Sequence, residues 1–238
     1  MSWIITGREA GPADPYIGNV SLLLHGDGTN GSTTIVDSSP SPKTVTAFGD
    51  AQISTAQSKF GGASIAFDGT GDYVEVNGTN ASLEMGSGSW TVEMWVYHTA
   101  RASAGLTSSL YDSLALSSGT TNAIRLRITS FGNLTFYRYG TPVFTSSAVI
   151  SLATWTHVAV VKDGSTLNFY LNGTNVGSIA DTVTYTNGLN RPILGADGFD
   201  PGSVLFNGYI DDLRITKGIA RYTANFTPPT APFSEVLG

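Results

Sequence analysis

The chain has 238 residues, of which 13% are charged and 28 are glycine. This composition is typical of short strands joined by tight turns and argues against a fold built from charged amphipathic helices. A formal net charge of -6 argues against a nucleic-acid-binding surface, which needs clustered Lys and Arg, and the absence of cysteine excludes disulfides.

The first 18 residues, from Met1 to Gly18, mix glycine, proline and charge without periodicity. We interpret residues 1–18 as an N-terminal arm or linker that precedes one domain over residues 19–238. The start lacks a basic leader, and Trp3 to Ile5 are too few apolar residues for a signal-peptide core. No apolar run approaches the roughly 20 residues that span a bilayer, so we expect no signal peptide, no transmembrane segment and no membrane insertion.

From Asn19 onward, strand patterns alternate with turns along the chain. NVSLLLHGDG is an apolar strand that stops in a Gly-Asp-Gly turn, and several short strands bounded by Gly-Asp and Asp-Gly steps follow it. Three mid-chain runs predict an antiparallel meander: WTVEMWVYH, AIRLRI and NLTFYRYG. Two hairpins should follow, with turns at Asp163-Gly164 and Asn172-Gly173. Only residues 100–119 are compatible with a helical turn, so the sequence predicts an all-β fold.

Strict alternation along the three mid-chain strands places aromatic and charged side chains on one side. Flat rings and fixed polar groups are the mixture that sugar recognition needs. The candidate ligand-binding residues are Glu93, Trp95, Tyr97, Arg125, Arg127, Tyr137 and Tyr139. The alternative is that the rings pack against a loop or another subunit, and that Arg125 or Arg127 pairs with Glu93 across strands.

The sequence gives little support for catalysis. Glycosidases on a sheet surface need two carboxylates that face one sugar, whereas the strand around Glu93 carries only that one. The three histidines have different neighbours, cysteine is absent, and no serine lies in a nucleophile elbow. We therefore expect a protein that is not an enzyme and has no catalytic residues.

Five motifs in order along residues 19–233 resemble the laminin-G-like members of the concanavalin A-like lectin/glucanase superfamily. They are SLLLHGDG, SKFGGASIAFDGTGDYVEV, WTVEMWVY, WTHVAVVKDGSTLNFYLNG and GYIDDLRITKGIARYTANFTPPTAPF. Within that family, DDLRITKGIARYTANFTPPTAPF is most similar to versions in bacteriophage tail and other virion proteins. The resemblance implies a jelly-roll sandwich of two antiparallel sheets, in agreement with the strand pattern.

In such a sandwich the last long strand, YIDDLRI, should lie beside the first, VSLLLHGD, because closing both sheets brings the chain ends together. The aromatic residues Tyr222, Phe226 and Phe233 would then cover the outside of a sheet. Pro228, Pro229 and Pro232 would keep the tail extended and unable to pair as a central strand.

The resemblance also implies a structural calcium ion, because members of this superfamily often hold one. Asp27, Asp211 and Asp212 are the candidate ligands where the first and last strands meet. The alternative is that Asp27 forms a turn and that the aspartate pair lies in solvent or faces Arg214. A second acidic set, Asp68, Asp72 and Glu75, is more typical of turns than of a metal site.

Together with the lack of paired catalytic groups, the resemblance implies a non-enzymatic structural protein of a bacteriophage virion, on the particle surface, as a capsid decoration or a tail-associated adhesin. It would contact other virion proteins through residues 1–18, bind host surface polysaccharide, and form a homo-oligomer that multiplies weak contacts. The alternative is a free carbohydrate-binding, lectin-like protein without a virion role.

Overall fold

The computed structural model describes residues 12–78, 81–114, 122–138 and 140–236. In these residues fifteen β-strands form two antiparallel sheets, and short 3-10 turns occur at Ile17–Asn19 and Ala81–Leu83. The two sheets enclose a single large apolar core. The all-β sandwich expected from the sequence is therefore confirmed.

The first sheet has eight strands. They are β1 (Val20–Leu24), β3 (Gln52–Ser54), β4 (Ser64–Asp68), β6 (Trp90–His98), β11 (Trp155–Asp163), β12 (Thr166–Leu171), β13 (Thr174–Ala180) and β15 (Asn207–Lys217). Their spatial order is β13-β12-β11-β6-β15-β4-β3, and β1 also pairs with β15. One edge of β15 pairs with β6, and its other edge pairs with both β4 and β1. This is possible because β15 is eleven residues long, so β4 and β1 pair with different parts of it.

The second sheet has seven strands. They are β2 (Val45–Phe48), β5 (Tyr73–Val76), β7 (Thr107–Asp112), β8 (Arg125–Thr129), β9 (Asn133–Arg138), β10 (Thr141–Val149) and β14 (Ile193–Leu194). Their order is β10-β9-β8-β7-β14-β5-β2.

The core forms because alternate residues of each strand point between the sheets. On β6 these are Val92, Met94 and Val96, while Leu126 and Ile128 do the same on β8. Each fully buried side chain of this size contributes about 1.5–3 kcal/mol relative to exposure. The outward-facing residues of the same strands are thus free to build surfaces.

One local prediction is wrong, and a second can be checked over only part of its segment. The expected meander does not form, because β6 pairs with β11 and β15 while β8 pairs with β7 and β9 in the other sheet. The segment that allowed a helical turn, residues 100–119, contains strand β7, and its residues 115–119 lie outside the described residues. In both cases the pairing of distant strands decides the structure, and local sequence cannot show it.

The two expected hairpins are present. Asn172 and Gly173 have φ of 48° and 74° between the paired residues Leu171 and Thr174, as a two-residue type I′ connection requires. In the other hairpin Asp163 pairs with Thr166, so the turn falls one residue later than predicted, on Gly164 and Ser165.

The first and last strands pair as expected, with Leu22 opposite Ile215 and Leu23 opposite Arg214. The segment before the first strand also contacts the segment after the last strand, because the Asp14 N–H donates a hydrogen bond to the Val236 carbonyl at 3.0 Å. Asp14 is buried, although it lies within the segment that the sequence assigns to an arm. Residues 1–11 lie outside the described residues.

Candidate functional site

A row of three aromatic side chains crosses one end of the eight-stranded sheet on its outer face. Trp155 lies opposite Tyr97, and Tyr97 lies opposite Tyr209, on the adjacent strands β11, β6 and β15. The ring centroids of Trp155 and Tyr97 are 5.5 Å apart, and those of Tyr97 and Tyr209 are 5.9 Å apart. All three side chains are half-buried, so part of each ring remains open to solvent. We call Trp155, Tyr97 and Tyr209 the aromatic row.

The line of side chains continues beyond the aromatic row onto β4 and β3. Tyr209 pairs with Ala66, and Ala66 pairs with Gln52. Because alanine has a short side chain, the surface drops between Tyr209 and Gln52. A cavity of about 400 Å³ lies here, lined by these three residues and by Asp50, Asp68 and Asp72.

The cavity has an acidic rim of defined shape. Asp72 is buried and accepts hydrogen bonds from the backbone N–H groups of Asp50 and Asp68, at 2.5 and 2.7 Å. Burial raises the pKa of Asp72, and the neighbouring charge of Asp68 raises it too. The two backbone hydrogen bonds act in the opposite direction but do not cancel this rise. The side chains of Asp50 and Asp68 are exposed. Among the described residues, no Lys or Arg forms an ion pair with any of the three.

The other two candidate residues of β6 are covered by the protein itself. Trp95 is 4% exposed, with Phe60 edge-on at 6.0 Å and the Lys59 ammonium 4.0 Å from its ring centroid. Glu93 is fully buried. Of the three candidates on this strand, only Tyr97 therefore reaches the open surface.

Glu93 is the centre of a buried charge network. Arg214 donates two hydrogen bonds to its Oε1, and the Tyr222 hydroxyl donates to its Oε2 at 2.7 Å. His157 Nε2 lies 3.3 Å from the same Oε2. Burial alone would raise the pKa of Glu93, but Arg214, His157 and Arg221 outweigh it and hold that pKa well below its usual range. Glu93 therefore has no proton to donate near neutral pH and no contact with solvent.

The C-terminal segment covers this network, and its aromatic side chains lie on the outside of a sheet, as the sequence predicted. Tyr222 and Phe226 stack with ring centroids 3.5 Å apart, and both pack on Tyr170 of the outer face. Further along, the Phe233 ring lies 3.7 Å from the Arg214 guanidinium carbon. The tail thus closes one end of this face, whereas the aromatic row lies at the other end of β6.

The candidate arginines lie on the opposite side of the sandwich. Arg125 and Arg127 of β8 face outward from the seven-stranded sheet, and each is 7% exposed. Arg125 donates to Asp112 at 2.9 Å and to Asp197 at 2.8 Å, while Arg127 donates to the same Asp197 oxygen at 2.5 Å. The expected single surface with Glu93, Trp95 and Tyr97 is therefore not formed, because the two groups lie on different sheets.

One tyrosine accompanies these arginines. The Arg127 guanidinium lies 4.8 Å from the Tyr137 ring centroid. Tyr139, the remaining candidate, lies outside the described residues.

The three candidate calcium ligands lie near one another but differ in their contacts. A bulge at Asp212, which has φ of 48°, lets both Asp211 and Asp212 face outward between the core residues Ile210 and Leu213. Asp212 contacts His25 Nδ1 at 2.5 Å and accepts from the Phe233 N–H at 2.8 Å. These two contacts connect Asp212 to the residue that follows β1 and to the C-terminal tail.

Asp211 has a different environment from Asp212. It accepts hydrogen bonds from the backbone N–H groups of Lys59 and Phe60, and the Asp27 carboxylate lies against the next residue, Gly61. Burial raises the pKa of Asp211 to about 8, and the charges of Asp212 and Asp27 add to this. Carboxylate oxygens suit a hard cation, but among the described residues no group of three or more His, Cys, Asp or Glu side chains is arranged to hold a metal. Calcium with Asp27 and Asp211 as its ligands therefore stays a prediction.

A family model matches more than half of the chain. A laminin G-like profile, described as concanavalin A-like lectin/glucanases superfamily, matches residues 68–220. The chain belongs to this superfamily. A comparison with curated proteins gives no match.

Solved structures that share this superfamily's fold include several binding domains. The binding domain of Paraclostridial Mosquitocidal Protein 1 has a TM-score of 0.63 at 16% identity, over 85% of this chain and 49% of that chain. Domain 4 of AbnA, an extracellular arabinanase from Geobacillus stearothermophilus solved with arabinotriose, has a TM-score of 0.60 at 20% identity, over 88% and 94%.

A structure of botulinum neurotoxin type C has a TM-score of 0.61 at 15% identity, over 84% of this chain and 48% of that chain. The cell entry of that toxin is described as dependent on interaction with two ganglioside molecules. The chain thus spans about half the length of the two toxin chains. At these identities the similarity establishes the fold alone. In the part of the chain that the structure describes, no helix could cross a membrane.

Most residues of the aromatic row and the cavity were not predicted from the sequence. Trp155 and Tyr209 were not candidates, and neither were Asp50 and Gln52. Alternation does place Trp155 and Tyr209 opposite the core residues Val158 and Ile210. Their juxtaposition with Tyr97 depends on the register of three strands that are distant in sequence, which a single sequence does not supply.

Proposed function

We propose that this domain is a carbohydrate-binding module without catalytic activity, and that the aromatic row is its binding surface. The observation that carries this proposal is the alignment of Trp155, Tyr97 and Tyr209 on three adjacent strands beside a polar cavity. Half-buried rings on a rigid sheet present flat apolar faces at little entropic cost on binding, and the adjacent polar groups orient the ligand.

Two of the similar structures support the proposal by analogy. The arabinanase domain was solved with arabinotriose, and the neurotoxin is described as dependent on gangliosides. Both ligands contain sugars, and both proteins share the sandwich fold with this chain. Function on a shared fold still depends on the particular site, so the proposal rests on the aromatic row of this chain.

The absence of catalysis is part of the proposal. Glu93, the only carboxylate on its strand, is fully buried and bound by Arg214 and Tyr222. A general acid or nucleophile must reach the substrate, which Glu93 does not do in this arrangement.

The test is a glycan array probed with the full chain, followed by titration of the best ligand into variants. Trp155→Ala should weaken binding about 30-fold, the effect of losing about 2 kcal/mol at an aromatic anchor. The matched control is Phe131→Ala, because Phe131 is 79% exposed in the turn between β8 and β9 on the other sheet. A negative array, or equal binding by wild type and Trp155→Ala, would refute the proposal.

We further propose a place for the module in a bacteriophage virion, as a capsid decoration or a tail-associated adhesin that contacts host surface polysaccharide as a homo-oligomer. The support is the sequence resemblance of the segment from Asp211 to Phe233. Imaging of purified particles tests the location. Deletion of residues 1–11 tests docking to other virion proteins, and residues 12–18 should be kept because Asp14 bonds to Arg214 and Arg221. Glycan binding without particle association would favour a free lectin-like protein.

A structural calcium ion completes the proposal. Asp27 and Asp211 would hold it, and it would neutralise two carboxylates crowded over the loop at residues 59–61. Asp212 would support the site through its contacts with His25 and Phe233.

A further inference from the structure

We infer that the cavity beside Tyr209 is a subsite for one uncharged or amino-bearing sugar unit, and that its three carboxylates reject sugars that carry an acid group. This inference rests on the proposed function and names the class of sugar that the aromatic row selects.

The cavity and the aromatic row form one continuous surface. Tyr209 belongs to both, since it pairs with Tyr97 on one side and with Ala66 on the other. Neighbouring strands lie about 4.8 Å apart, so successive positions across the sheet are separated by little more than one ring. A chain of sugar units lying across the strands would stack on the row and place its next unit above Ala66.

The charge of the cavity is uniform. Asp50, Asp68 and Asp72 all line it, and in the described residues no cationic side chain pairs with any of them. Asp72 cannot turn away, because both of its oxygens accept backbone hydrogen bonds. A carboxylate on the ligand would meet like charges here, whereas an ammonium group would meet opposite charges.

Hydrogen bonding favours the same class of ligand. Ionised carboxylates only accept hydrogen bonds, so they prefer hydroxyl or ammonium donors, and such bonds are stronger than neutral ones. Gln52 adds a side-chain amide to the lining. The Asn207 side chain is held by its hydrogen bond to the Asp68 carbonyl at 2.6 Å, which keeps that edge of the cavity in place.

A metal ion is a poorer occupant than a sugar. In the ranges that the structure describes, no group of three or more His, Cys, Asp or Glu side chains is arranged to hold a metal. The Asp72 oxygens are directed at backbone N–H groups, and Asp68 accepts from the Thr70 N–H at 2.6 Å. The carboxylates therefore act as a charged wall around the cavity.

The test uses three β-1,4-linked hexasaccharides with the same backbone: glucosamine, glucose and glucuronic acid. Affinities are measured by calorimetric titration of the full chain at low salt and pH 6. The glucosamine oligomer should bind most tightly, then the glucose oligomer, then the glucuronic acid oligomer. The ratio of the affinity for the glucosamine oligomer to that for the glucuronic acid oligomer should be at least ten. Asp50→Asn should narrow this ratio several-fold, because Asp50 is exposed and removing its charge leaves the bonds of Asp72 intact. The matched control Asp163→Asn removes an exposed carboxylate from a distant hairpin and should leave the ratio unchanged.

Glucuronic acid binding as tightly as glucose would overturn the inference, and so would an unchanged ratio in Asp50→Asn. Failure of all three sugars to bind would also overturn it. The proposed function falls only if the glycan array is negative or if Trp155→Ala binds normally, so the two failures are distinguishable.

Discussion

Arg214 and Glu93 face each other on neighbouring strands, and the guanidinium group donates two hydrogen bonds, of 2.8 and 3.0 Å, to one carboxylate oxygen. Both side chains lie under the C-terminal segment, so water does not replace either partner. The pair joins the last strand to the centre of its sheet.

Removing the charge of Glu93 should therefore be costly. Glu93→Gln keeps the shape but leaves the Arg214 guanidinium partly uncompensated, and we expect a loss of about 3 kcal/mol in the free energy of unfolding. Denaturant titration measures it. Glu84→Gln, which changes an exposed carboxylate, should stay within about 0.5 kcal/mol of wild type. Equal stability of the two variants would show that the buried pair adds nothing.

Acid should destabilise the fold through His98 before most carboxylates titrate. Burial and the nearby Arg101 together lower the pKa of His98 to about 4, against a backbone hydrogen bond to Ala100. At this site the unfolded chain, with a His pKa near 6.5, binds more protons than the folded chain between about pH 4 and 6.5, so the contribution of His98 to stability is full above about pH 6.5 and is lost as the pH drops. Asp211, whose pKa is raised to about 8 in the folded protein, acts in the opposite direction over this range, so His98 is isolated by comparison with a variant.

The variant His98→Phe isolates this effect. It keeps the stack with Phe206, whose ring centroid is 5.4 Å away, and it removes the titrating group. The slope of unfolding free energy against pH between 4.5 and 6.5 should be smaller in His98→Phe than in wild type. Identical slopes would contradict the assignment to His98.

Sugar binding should change tryptophan fluorescence. Trp155 is half-buried at the end of the aromatic row, whereas Trp90 and Trp95 are buried. A ligand stacked on Trp155 removes water from its ring, so the emission should shift to shorter wavelength during titration. The shift should vanish in Trp155→Phe. Its persistence in that variant would place the ligand elsewhere.

Calcium should raise the melting temperature of the wild-type protein, because it neutralises the crowded carboxylates of Asp27 and Asp211. Asp211→Asn should lose this response, while Asp200→Asn, which changes an exposed loop, should keep it. A melting temperature that does not respond to calcium or to a chelator would remove the proposed ion.

Two adjacent glycines separate backbone strain from side-chain crowding. Gly61 and Gly62 have φ of 64° and 88°, so alanine costs about 1–2 kcal/mol at either position. A Cβ on Gly61 would also overlap the Asp27 carboxylate, whereas one on Gly62 meets nothing within 4 Å. Thermal unfolding should show that Gly61→Ala loses at least about 1 kcal/mol more than Gly62→Ala. Equal losses would place Asp27 away from this loop.

The sequence predicted those features that depend on local patterns or on closure of the fold. Turn chemistry located both hairpins, with Asn172 and Gly173 at the predicted positions. Closure of the sandwich predicted that the first and last strands pair, as Leu22 and Ile215 do, and that Tyr222 and Phe226 pack over a sheet. The family resemblance is confirmed at the level of the superfamily.

The candidate site was harder to predict because it depends on which strands are neighbours. Alternation correctly placed Tyr97 and Arg125 on outward faces, but it could not show that their strands belong to different sheets. Nor could it show that Ala66 lies beside Tyr209, since the two are separated by more than half of the chain and meet through register alone.

The hydrogen bond between Asp14 and Val236 has an engineering consequence. Since the two ends of the folded unit leave it side by side, a short linker could join them, and new termini could be opened in an exposed turn. The same proximity would let the module be inserted into a surface loop of another protein without separating that loop's two anchor points.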